Sequence, residues 1–531
     1  MEVKETTVTK ITKEQWIQFA ALVFGAFIAI EAMAFQAPAI PVIAAYFEVP
    51  SHLAGLIVLS FYIISASLYP ITGRLADQYG RKRVLLIGIA IFAIAEFAAA
   101  VSPTFSFLLV ARVFQGMGVA CIFPVVIAYI GIIFQPEKRG LASGVFNSVQ
   151  AVAAMLGAGL AGFLVKIYGW PIIYWISGVL AVIGFFVVLV FVKESKGIVK
   201  GSIDYFGIVL IFVTTACILS VSTLVKQFGI ASPYTLGVLA TGLLSAALLW
   251  TIGNRIPNPI IELSLLKKRV FALVALIYLM LTAALQLFIY SMSFFLTLRP
   301  DGDIAETGLF FMFNSGAAAI GGLIVGKLAD KINSKKLLIF TLMIPTTALL
   351  IFSRIDSDTT ISYILMLAAF FGFGSVIPIL FKYALNVIPV DKYGSGSGLL
   401  SVIRDFGAPL GSVTGIVLFT SFSESSKQAS LVSQATAAGV NPDLMTAVQQ
   451  AGSSGGKLID KALATELQSL GIKFEDLMST ALGEGATLGI QNMSLIVAGF
   501  FIVLILLSIL IPQKKVVKES TVTTQISEKL A

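Results

Sequence analysis

Three charged residues lie inside long apolar stretches of the sequence: Glu31, Glu96 and Arg112. An ionised carboxylate in a bilayer costs about 2.5 to 3.5 kcal/mol on insertion scales, so such residues usually face a cavity or a partner. An opposite charge favours the ionised form of a carboxyl group, whereas loss of water favours the neutral form. A change in the neighbouring charge or in hydration therefore makes the carboxyl group release or take up a proton. The chemistry expected of these residues is reversible binding of a proton or a cation.

The three residues are expected at similar depths in a membrane. At ~1.5 Å per helical residue, Glu31 lies roughly 22 Å and Glu96 ~18 Å from the inner surface of a ~30 Å hydrocarbon core. Arg112 lies about 12 Å from the outer surface by the same rise. We therefore predict that Glu31 and Arg112 act together. Two alternatives remain open: Arg112 only makes the insertion of Glu31 tolerable, and Glu96 packs against a polar neighbour or stays protonated.

A second charged pair, Arg404 and Asp405, lies in a later apolar stretch. Adjacent residues point about 100° apart around a helix, so the two cannot share one face. One is expected to face a cavity and the other a neighbouring helix, which makes both candidates for the proton and substrate site. A local structural ion pair is the alternative.

Other kinds of chemistry find no support in the sequence. No nucleophile with a base, no metal-ligand cluster and no phosphate-binding loop is evident, so we expect no enzyme, no metal site and no cofactor. Cys121 and Cys217 lie in apolar segments, which disfavours a disulfide framework. The net charge of +8 is explained below by membrane topology, and nucleic acid need not be invoked.

Apolar helices must position these residues. The chain has 57% hydrophobic and 12% charged residues and a mean hydropathy of +0.95, outside the range of soluble domains. About 20 apolar residues span a bilayer as a helix. We predict an all-α integral membrane protein with fourteen spans, centred near residues 28, 62, 93, 116, 154, 181, 214, 244, 280, 316, 345, 370, 407 and 500.

The distribution of basic residues predicts the orientation. Short cytoplasmic loops are enriched in Lys and Arg. With fourteen spans, most of the 36 Lys and Arg residues fall on one side, together with both ends of the chain. We therefore predict a protein of the cell membrane with both termini in the cytoplasm.

A repeated segment predicts two related halves. The run from Gly73 to Arg83 recurs in weaker form from Gly326 to Lys336. Internal repeats of six helices are common in secondary transporters. The predicted domains are a six-helix bundle (1–192), a linker with two inserted helices (193–269) and a second six-helix bundle (270–531).

The second bundle includes a polar external loop, 421–486. Two short amphipathic helices are expected in it, at 443–450 and 457–470. The loop either covers the outer mouth or lies as a hairpin over the membrane surface.

The repeated loop and a segment of the fourth span carry a family resemblance. The run from Gly73 to Arg83 is similar to the loop signature of the major facilitator superfamily, and Arg112 to Gly118 is similar to a signature of its fourteen-helix drug:proton antiporter branch. The antiporter motif of helix 5 matches only in part, because its Pro and two of its Gly are replaced by Ala. Glu31 precedes Ala39-Ile40-Pro41 by one residue more than in the branch.

The resemblance implies the major facilitator fold and roles for individual residues. Glu31 would bind protons and substrate, with Arg112 as its electrostatic partner. Gating would involve the first loop, where Gly73 permits close helix packing, Gly80 permits a tight reversal, and Asp77 and Arg81 hold the inner side closed. Asp330 lies in the altered second copy, where the corresponding contact would be weaker.

The predicted function is proton-coupled export of amphipathic, cationic small molecules by alternating access, by a monomer in the bilayer whose partners are protons and the substrate. Uptake or facilitated transport of an organic anion or metabolite is one alternative, favoured by the incomplete helix 5 motif and by Arg112 and Arg404. A membrane receptor or scaffold without transport is the other.

Overall fold

The computed structural model describes residues 12–134, 136–195, 205–253, 263–300, 302–329, 332–355, 359–385, 387–388, 393–454 and 459–512. Within these ranges the chain is helical and has no strand. In chain order the α-helices are α1 (Lys13–Ala34), α2 (Gln36–Tyr46), α3 (Ser51–Tyr79), α4 (Arg81–Ala100), α5 (Phe105–Ile133), α6 (Pro136–Tyr168), α7 (Pro171–Phe191), α8 (Tyr205–Phe228), α9 (Pro233–Gly253), α10 (Arg269–Leu298), α11 (Ile304–Leu328), α12 (Ser334–Phe352), α13 (Thr360–Leu385), α14 (Tyr393–Ala437), α15 (Met445–Ser453), α16 (Lys461–Ser469) and α17 (Phe474–Ile509).

The all-helical membrane architecture is confirmed. Each of the fourteen predicted centres lies in a helix, and twelve helices in the described ranges are long and apolar enough to cross a membrane. The other two, α3 and α8, contain shorter apolar stretches, Leu53–Tyr69 and Phe206–Val221. The count of fourteen spans stays a prediction.

The helices pack in two groups, since α1 to α7 contact mainly one another, as do α10 to α14 with α17. Helices α8 and α9 pair, and α8 contacts both α3 and α14. The domain boundaries at residues 192 and 269 stay a prediction.

The first predicted span is broken into two helices. The break lies at Phe35, between α1 and α2, and α2 contains Pro38 and Pro41. Proline has no backbone N–H, so Pro41 cannot bond the carbonyl of Ala37, four residues earlier. The Ser293 hydroxyl of α10 donates to this carbonyl instead. The break places the end of α1 three residues beyond Glu31.

We call the end of the bundle that contains Tyr46, Tyr168 and Ile304 the distal end, and the end that contains Lys13 and Gly80 the proximal end. Among the described residues, two hydrogen bonds join the two helix groups, and both lie toward the distal end. One is the bond from Ser293 to the Ala37 carbonyl. The other joins Lys166 of α6 to Asp303, the residue that caps α11.

Close helix packing accompanies these bonds. A Cβ on Gly162 of α6 would lie 2.9 Å from the backbone of Gly308 in α11, and a Cβ on Gly159 would lie 2.8 Å from the Met312 sulfur. Small residues let helix backbones approach in this way. The two groups are therefore packed tightly against each other at the distal end.

The predicted external loop forms a small helical bundle. Helices α14 and α17 extend past the apolar region and carry a 3₁₀ turn (Pro442–Leu444), α15 and α16 between them. The two short helices begin two to four residues later than predicted. Side chains of all these helices share an apolar core made of Leu431, Ala435, Val440, Val448, Ala451, Leu463, Leu467, Phe474, Met478 and Ala481. The segment thus has its own apolar core, and both predicted placements of the loop stay predictions.

Candidate functional site

Glu31 lies one turn before the break in the first span. Its side chain is buried, and a carboxylate oxygen accepts a hydrogen bond from the Ser177 hydroxyl of α7 at 3.3 Å. The Glu31 carbonyl accepts the Phe35 N–H at 3.0 Å, which is the last bond before the break. On its other side, α6 approaches so closely that a Cβ on Gly157 would lie 2.7 Å from this carbonyl. Helices α6 and α7 therefore fix Glu31 in place.

Arg112 of α5 is also buried, and its guanidinium contacts three neighbours. Nε donates to the carbonyl of Ile57 at 3.0 Å, and Nη1 donates to Gln115 Oε1 at 2.5 Å. The guanidinium carbon lies 4.6 Å from the ring centroid of Phe61, a cation–π distance. In the described part of the chain no carboxylate lies within 4.0 Å of this guanidinium. The structure thus places Glu31 and Arg112 in one region without a direct ion pair.

Glu96 of α4 completes a group of charges. Its side chain is 1% exposed, and neither carboxylate oxygen has a hydrogen-bond partner among the described residues. It lies close enough to Arg112 and Glu31 for the charges to interact. We call Glu31, Glu96 and Arg112 the charge cluster. Similar depth in the sequence predicted that Glu31 and Arg112 act together, which stays a prediction, and the structure places Glu96 within range of both charges.

Several polar residues around the charge cluster were not singled out from the sequence. Tyr174 of α7 donates to Gln36 Oε1 at 3.1 Å, and Gln36 Nε2 donates to the carbonyl of Ala32 at 3.2 Å. Tyr290 of α10 lies within range of the Arg112 charge. The second helix group therefore also contributes a polar side chain to the surroundings of the charge cluster. A search for polar side chains within apolar stretches would have found Gln36 and Ser177. Tyrosine is common in apolar segments and gives no such signal.

The second predicted pair lies on α14, in the second helix group. Arg404 of α14 is half-buried, and its carbonyl accepts the Thr282 hydroxyl of α10 at 2.9 Å. The side chain of Asp405 lies outside the described part of the structure. Roles for both in proton or substrate binding stay predictions.

The first signature loop contacts the segment after α7. The Arg81 N–H donates to the Ser195 carbonyl at 3.0 Å, and the Arg81 guanidinium donates to the Ser195 hydroxyl at 3.1 Å. Gly80 has φ +110°, and a Cβ there would lie 2.8 Å from the Glu194 carboxylate. These contacts stay within the first helix group and join α4 to the segment that follows α7.

The structure describes only some of the other residues with predicted gating roles. A Cβ on Gly73 would lie 3.9 Å from Pro124 of α5, an ordinary packing distance. The Asp77 side chain and all of Asp330 lie outside the described residues. The gating roles of Gly73, Asp77, Gly80, Arg81 and Asp330 stay predictions.

The distal ion pair between Lys166 and Asp303 offers a test of closure. The two atoms lie 2.5 Å apart, and both side chains are partly exposed. The Lys166 hydrogen bond, followed by the Ala305 N–H, holds the pKa of Asp303 below its ordinary value of 3.8, against a small opposing effect of burial. Because pairing lowers the pKa of Asp303, the ion pair stabilises the closed distal end at any pH above the ordinary pKa of Asp303. The stabilisation is lost as pH falls through the lowered pKa of the paired carboxyl group.

We expect Asp303→Asn to loosen the distal end without unfolding α11, because Asn caps helices as well as Asp. Exposed ion pairs contribute at most about 1 kcal/mol, so the open population should rise by about fivefold or less. Met155 of α6 lies between the two helix groups, where its sulfur is 3.6 Å from a Cβ built on Gly316 of α11. The measurement is the rate at which an impermeant maleimide labels Met155→Cys, in a background with Cys121→Ala and Cys217→Ala.

Lys166→Gln is the matched control for this pair. It should give the same increase, and the double variant should add nothing further. The unsubstituted pair should lose its effect only in acid below the ordinary Asp303 pKa. Equal labelling of all variants at neutral pH would show that the pair does not hold the distal end closed.

Comparisons with known proteins agree on one family. The family model described as Major Facilitator Superfamily matches residues 22–412. Multidrug resistance protein 3 of Bacillus subtilis is 24% identical over 364 residues, covering 66% of this chain and 69% of that protein. Multidrug resistance protein Stp of Mycobacterium tuberculosis is 27% identical over 365 residues, covering 68% of this chain and 66% of that protein.

A solved structure has the same fold. It is a bacterial homologue of the human lysosomal transporter Spinster, in an inward-facing and unoccupied conformation, with a TM-score of 0.64 and 14% identity. The match covers 95% of this chain and 99% of that one. At this identity the likeness shows the fold alone.

Proposed function

The chain belongs to the major facilitator superfamily and is a multi-pass membrane transporter, not an enzyme, and we propose that it exports amphipathic organic cations in exchange for protons. The observation that carries this proposal is the charge cluster. Glu96 lies within range of the Arg112 charge and of the Glu31 charge, and both carboxyl groups are buried, so the cluster can exchange a proton for a cation. The names of the two bacterial relatives, multidrug resistance proteins, support the choice of substrate.

The geometry around Glu31 supports its role as the shared site. Its carboxylate has a single hydrogen-bond donor among the described residues, Ser177 at 3.3 Å, so it retains capacity to accept from a substrate. Phe24 and Phe27 lie on the same helix, with stacked rings 6.4 Å apart. Aromatic rings beside a carboxylate suit a cation with an apolar body.

The contacts between the two helix groups support an alternating-access cycle. The described hydrogen bonds across the interface are distal, so this conformation is closed at that end. If the basic residues mark the cytoplasmic side, the distal end faces outward and the site opens to the cytoplasm. We propose a location in the cell membrane with both termini in the cytoplasm, fourteen spans, and function as a monomer.

Arg112 bears on the alternative of anion uptake. An anion site needs an available cation, but two donors of Arg112, on Nε and Nη1, already bond Ile57 and Gln115 within the bundle. These bonds reduce the capacity of the guanidinium to bind an anion. Proton-coupled cation export is the function that the geometry supports best.

The test uses the full chain in liposomes loaded with ethidium-binding DNA and buffered at an acidic internal pH. Export by proton exchange predicts that ethidium enters as protons leave, and that nigericin, which collapses the pH gradient, stops its entry. Movement of a lipophilic anion without a gradient would favour the facilitated-transport alternative. Movement of neither ion would favour a receptor or scaffold.

A further inference from the structure

Helix α8 contacts both helix groups, although it belongs to neither. It packs against α3 of the first group and against α14 of the second. Leu219 of α8 is fully buried there, in one apolar cluster with Leu59 of α3 and with Val413 and Val417 of α14. We call the line along which α3 and α14 meet the seam. Helix α8 therefore lies across the seam.

Apolar side chains line the seam at the same helical spacing on both sides. They are Leu56, Leu59 and Ile63 on α3, and Leu410, Val413 and Val417 on α14. Residues three and four positions apart lie on one face of a helix, so each group presents one face to Leu219.

The seam is closed in its distal half. Gly55 lies in the first turns of α3, near the distal end, and a Cβ there would lie 3.5 Å from Cγ1 of Val413. The bond from Ser293 to the Ala37 carbonyl joins the two groups toward the same end. Opening of the distal end therefore requires α3 and α14 to separate along the seam.

Helix α9 supports α8 on another side. The hydroxyl groups of Thr214 and Ser245 lie 2.7 Å apart and are buried between the two helices. A Cβ on Gly242 of α9 would lie 3.0 Å from the Cys217 Cβ of α8. Hydroxyl pairs and small residues of this kind stabilise contacts between membrane helices. The two helices are expected to move as one unit, which can follow only one helix group when the seam opens.

We infer that α8 is a brace across the seam, which stabilises the distally closed conformation and loses contact with one helix group when the distal end opens. This inference rests on the alternating-access cycle of the proposed function and gives the inserted helix pair a role in it. Lipid chains are as apolar as leucine, so the stabilisation comes from close packing of Leu219 between three helices. The inserted pair thus sets the balance between the two conformations.

Thr223 acts in the opposite direction. It lies one turn after Leu219 on the same face of α8, is 6% exposed, and its hydroxyl has no hydrogen-bond partner among the described residues. A buried hydroxyl without a partner destabilises the conformation that buries it. Separation of α3 and α14 gives water access to this hydroxyl. Leu219 therefore favours the closed conformation and Thr223 the open one.

Substitutions of these two residues should shift the conformation in opposite directions. Leu219→Ala leaves a cavity in the closed conformation alone, because lipid chains fill the space once the seam opens. Distal opening should therefore increase by about fivefold or more. Thr223→Val keeps the side-chain shape and removes the unpaired hydroxyl, so distal opening should decrease by about fivefold. A general loosening of α8 would shift both variants the same way.

The measurement is the rate at which an impermeant maleimide labels Met155→Cys, in the background with Cys121→Ala and Cys217→Ala used for the distal ion pair. Met155 lies on α6 beside Gly316 of α11, outside the seam, so the substitutions in α8 leave the surroundings of the reporter unchanged. Size-exclusion chromatography confirms that each variant is folded.

Helix α9 offers matched control variants. Leu236→Ala removes the same side chain from a position that is 51% exposed. Thr241→Val removes an exposed hydroxyl that donates to the Gly237 carbonyl at 2.8 Å. Neither residue lies at the seam, so both variants should be labelled within about twofold of the unsubstituted rate.

Double variants test whether α8 contacts both groups. Leu59→Ala and Val413→Ala change opposite sides of the seam, and each is combined with Leu219→Ala. Substitutions of residues in contact are not additive. A brace predicts that both combinations raise the labelling rate by less than the product of the single effects. Non-additivity with one side alone would assign α8 to one helix group and overturn the inference.

The labelling assay needs neither substrate nor a pH gradient, so its outcome is separate from that of the proposed function. An unchanged rate for folded Leu219→Ala would overturn the inference, as would an equal or faster rate for Thr223→Val, which decides alone if Leu219→Ala does not fold. If the unsubstituted protein moves no cation in liposomes, the proposed function fails. If it moves the cation and the α8 variants are labelled at the unsubstituted rate, the function stands and the brace inference fails.

Discussion

Glu31→Gln is expected to abolish export of lipophilic cations driven by a pH gradient while leaving the protein folded. Glutamine has nearly the shape of glutamate, and its amide oxygen can still accept the Ser177 hydroxyl. It cannot bind a proton reversibly or offer a negative charge. A cation bound there would be buried without a counter-charge, a loss that should lower transport by about 100-fold or more. Ethidium accumulation in the liposomes described above measures this.

Glu14 provides a matched control on the same helix. It lies on α1 near the proximal end, is exposed, and pairs with Lys193. Glu14→Gln removes a carboxylate from α1 but not from the charge cluster, so transport should stay within about twofold, as expected for an exposed ion pair. Equal loss in both variants would point to a general effect of charge on α1. Full transport by Glu31→Gln would remove Glu31 from the proposed site.

The depth of the charge cluster could be predicted from the sequence because the rise of an α-helix is constant. Residue counts alone placed Glu31, Glu96 and Arg112 at comparable levels, whatever the packing of their helices. The partners of Arg112 on α3, the Ile57 carbonyl and the Phe61 ring, could not be predicted. Which face of α5 meets α3 depends on the rotation of α5 about its axis. Apolar residues lie on all sides of α5, so its sequence pattern does not indicate this rotation.

Breaks and loops were harder to predict than spans. Pro38 and Pro41 indicate a disturbed helix, but the break itself lies at Phe35, three residues before the first proline. The contact of Arg81 with Ser195 depends on how two loops fold at the proximal end. The small external bundle has a core built from residues far apart in sequence, and only its short amphipathic helices gave a local signal.

The broken first span connects the charge cluster to closure of the distal end. Pro41 frees the Ala37 carbonyl, and Ser293 from the second helix group satisfies it. This bond must break when the distal end opens, and the freed carbonyl must then find water or another donor, because a buried carbonyl without a partner is costly. Separation of the two helix groups thus acts on α2, which begins five residues after Glu31.

Gly157→Ala is expected to impair both stability and transport, because the new methyl group would clash with the backbone of Glu31. The new Cβ would lie 2.7 Å from the Glu31 carbonyl oxygen and 2.9 Å from the Ala34 Cβ. Alanine in a helix is favoured over glycine by roughly 0.5 to 1 kcal/mol, whereas overpacking typically costs about 1 to 3 kcal/mol. The cost of overpacking therefore outweighs the gain in helix propensity, and relief of the clash requires α1 to move away from α6.

That movement would carry the Glu31 carboxylate away from Ser177 and the rest of the charge cluster. Small displacements of a binding group lower activity strongly, so we expect transport to fall by about tenfold or more. Thermal unfolding in detergent, followed by tryptophan fluorescence, should show a lower midpoint than that of the unsubstituted chain.

Gly316→Ala separates a steric cause from a general effect of alanine. Gly316 lies on α11 facing α6, and a Cβ there would lie 3.6 Å from the Met155 sulfur, an ordinary contact. This variant gains helix propensity without a clash, so its unfolding midpoint should equal or exceed that of the unsubstituted protein and its transport should be unchanged. If Gly157→Ala behaves in the same way, α6 does not constrain the position of Glu31, and the close approach of the two helices is dispensable for proton exchange.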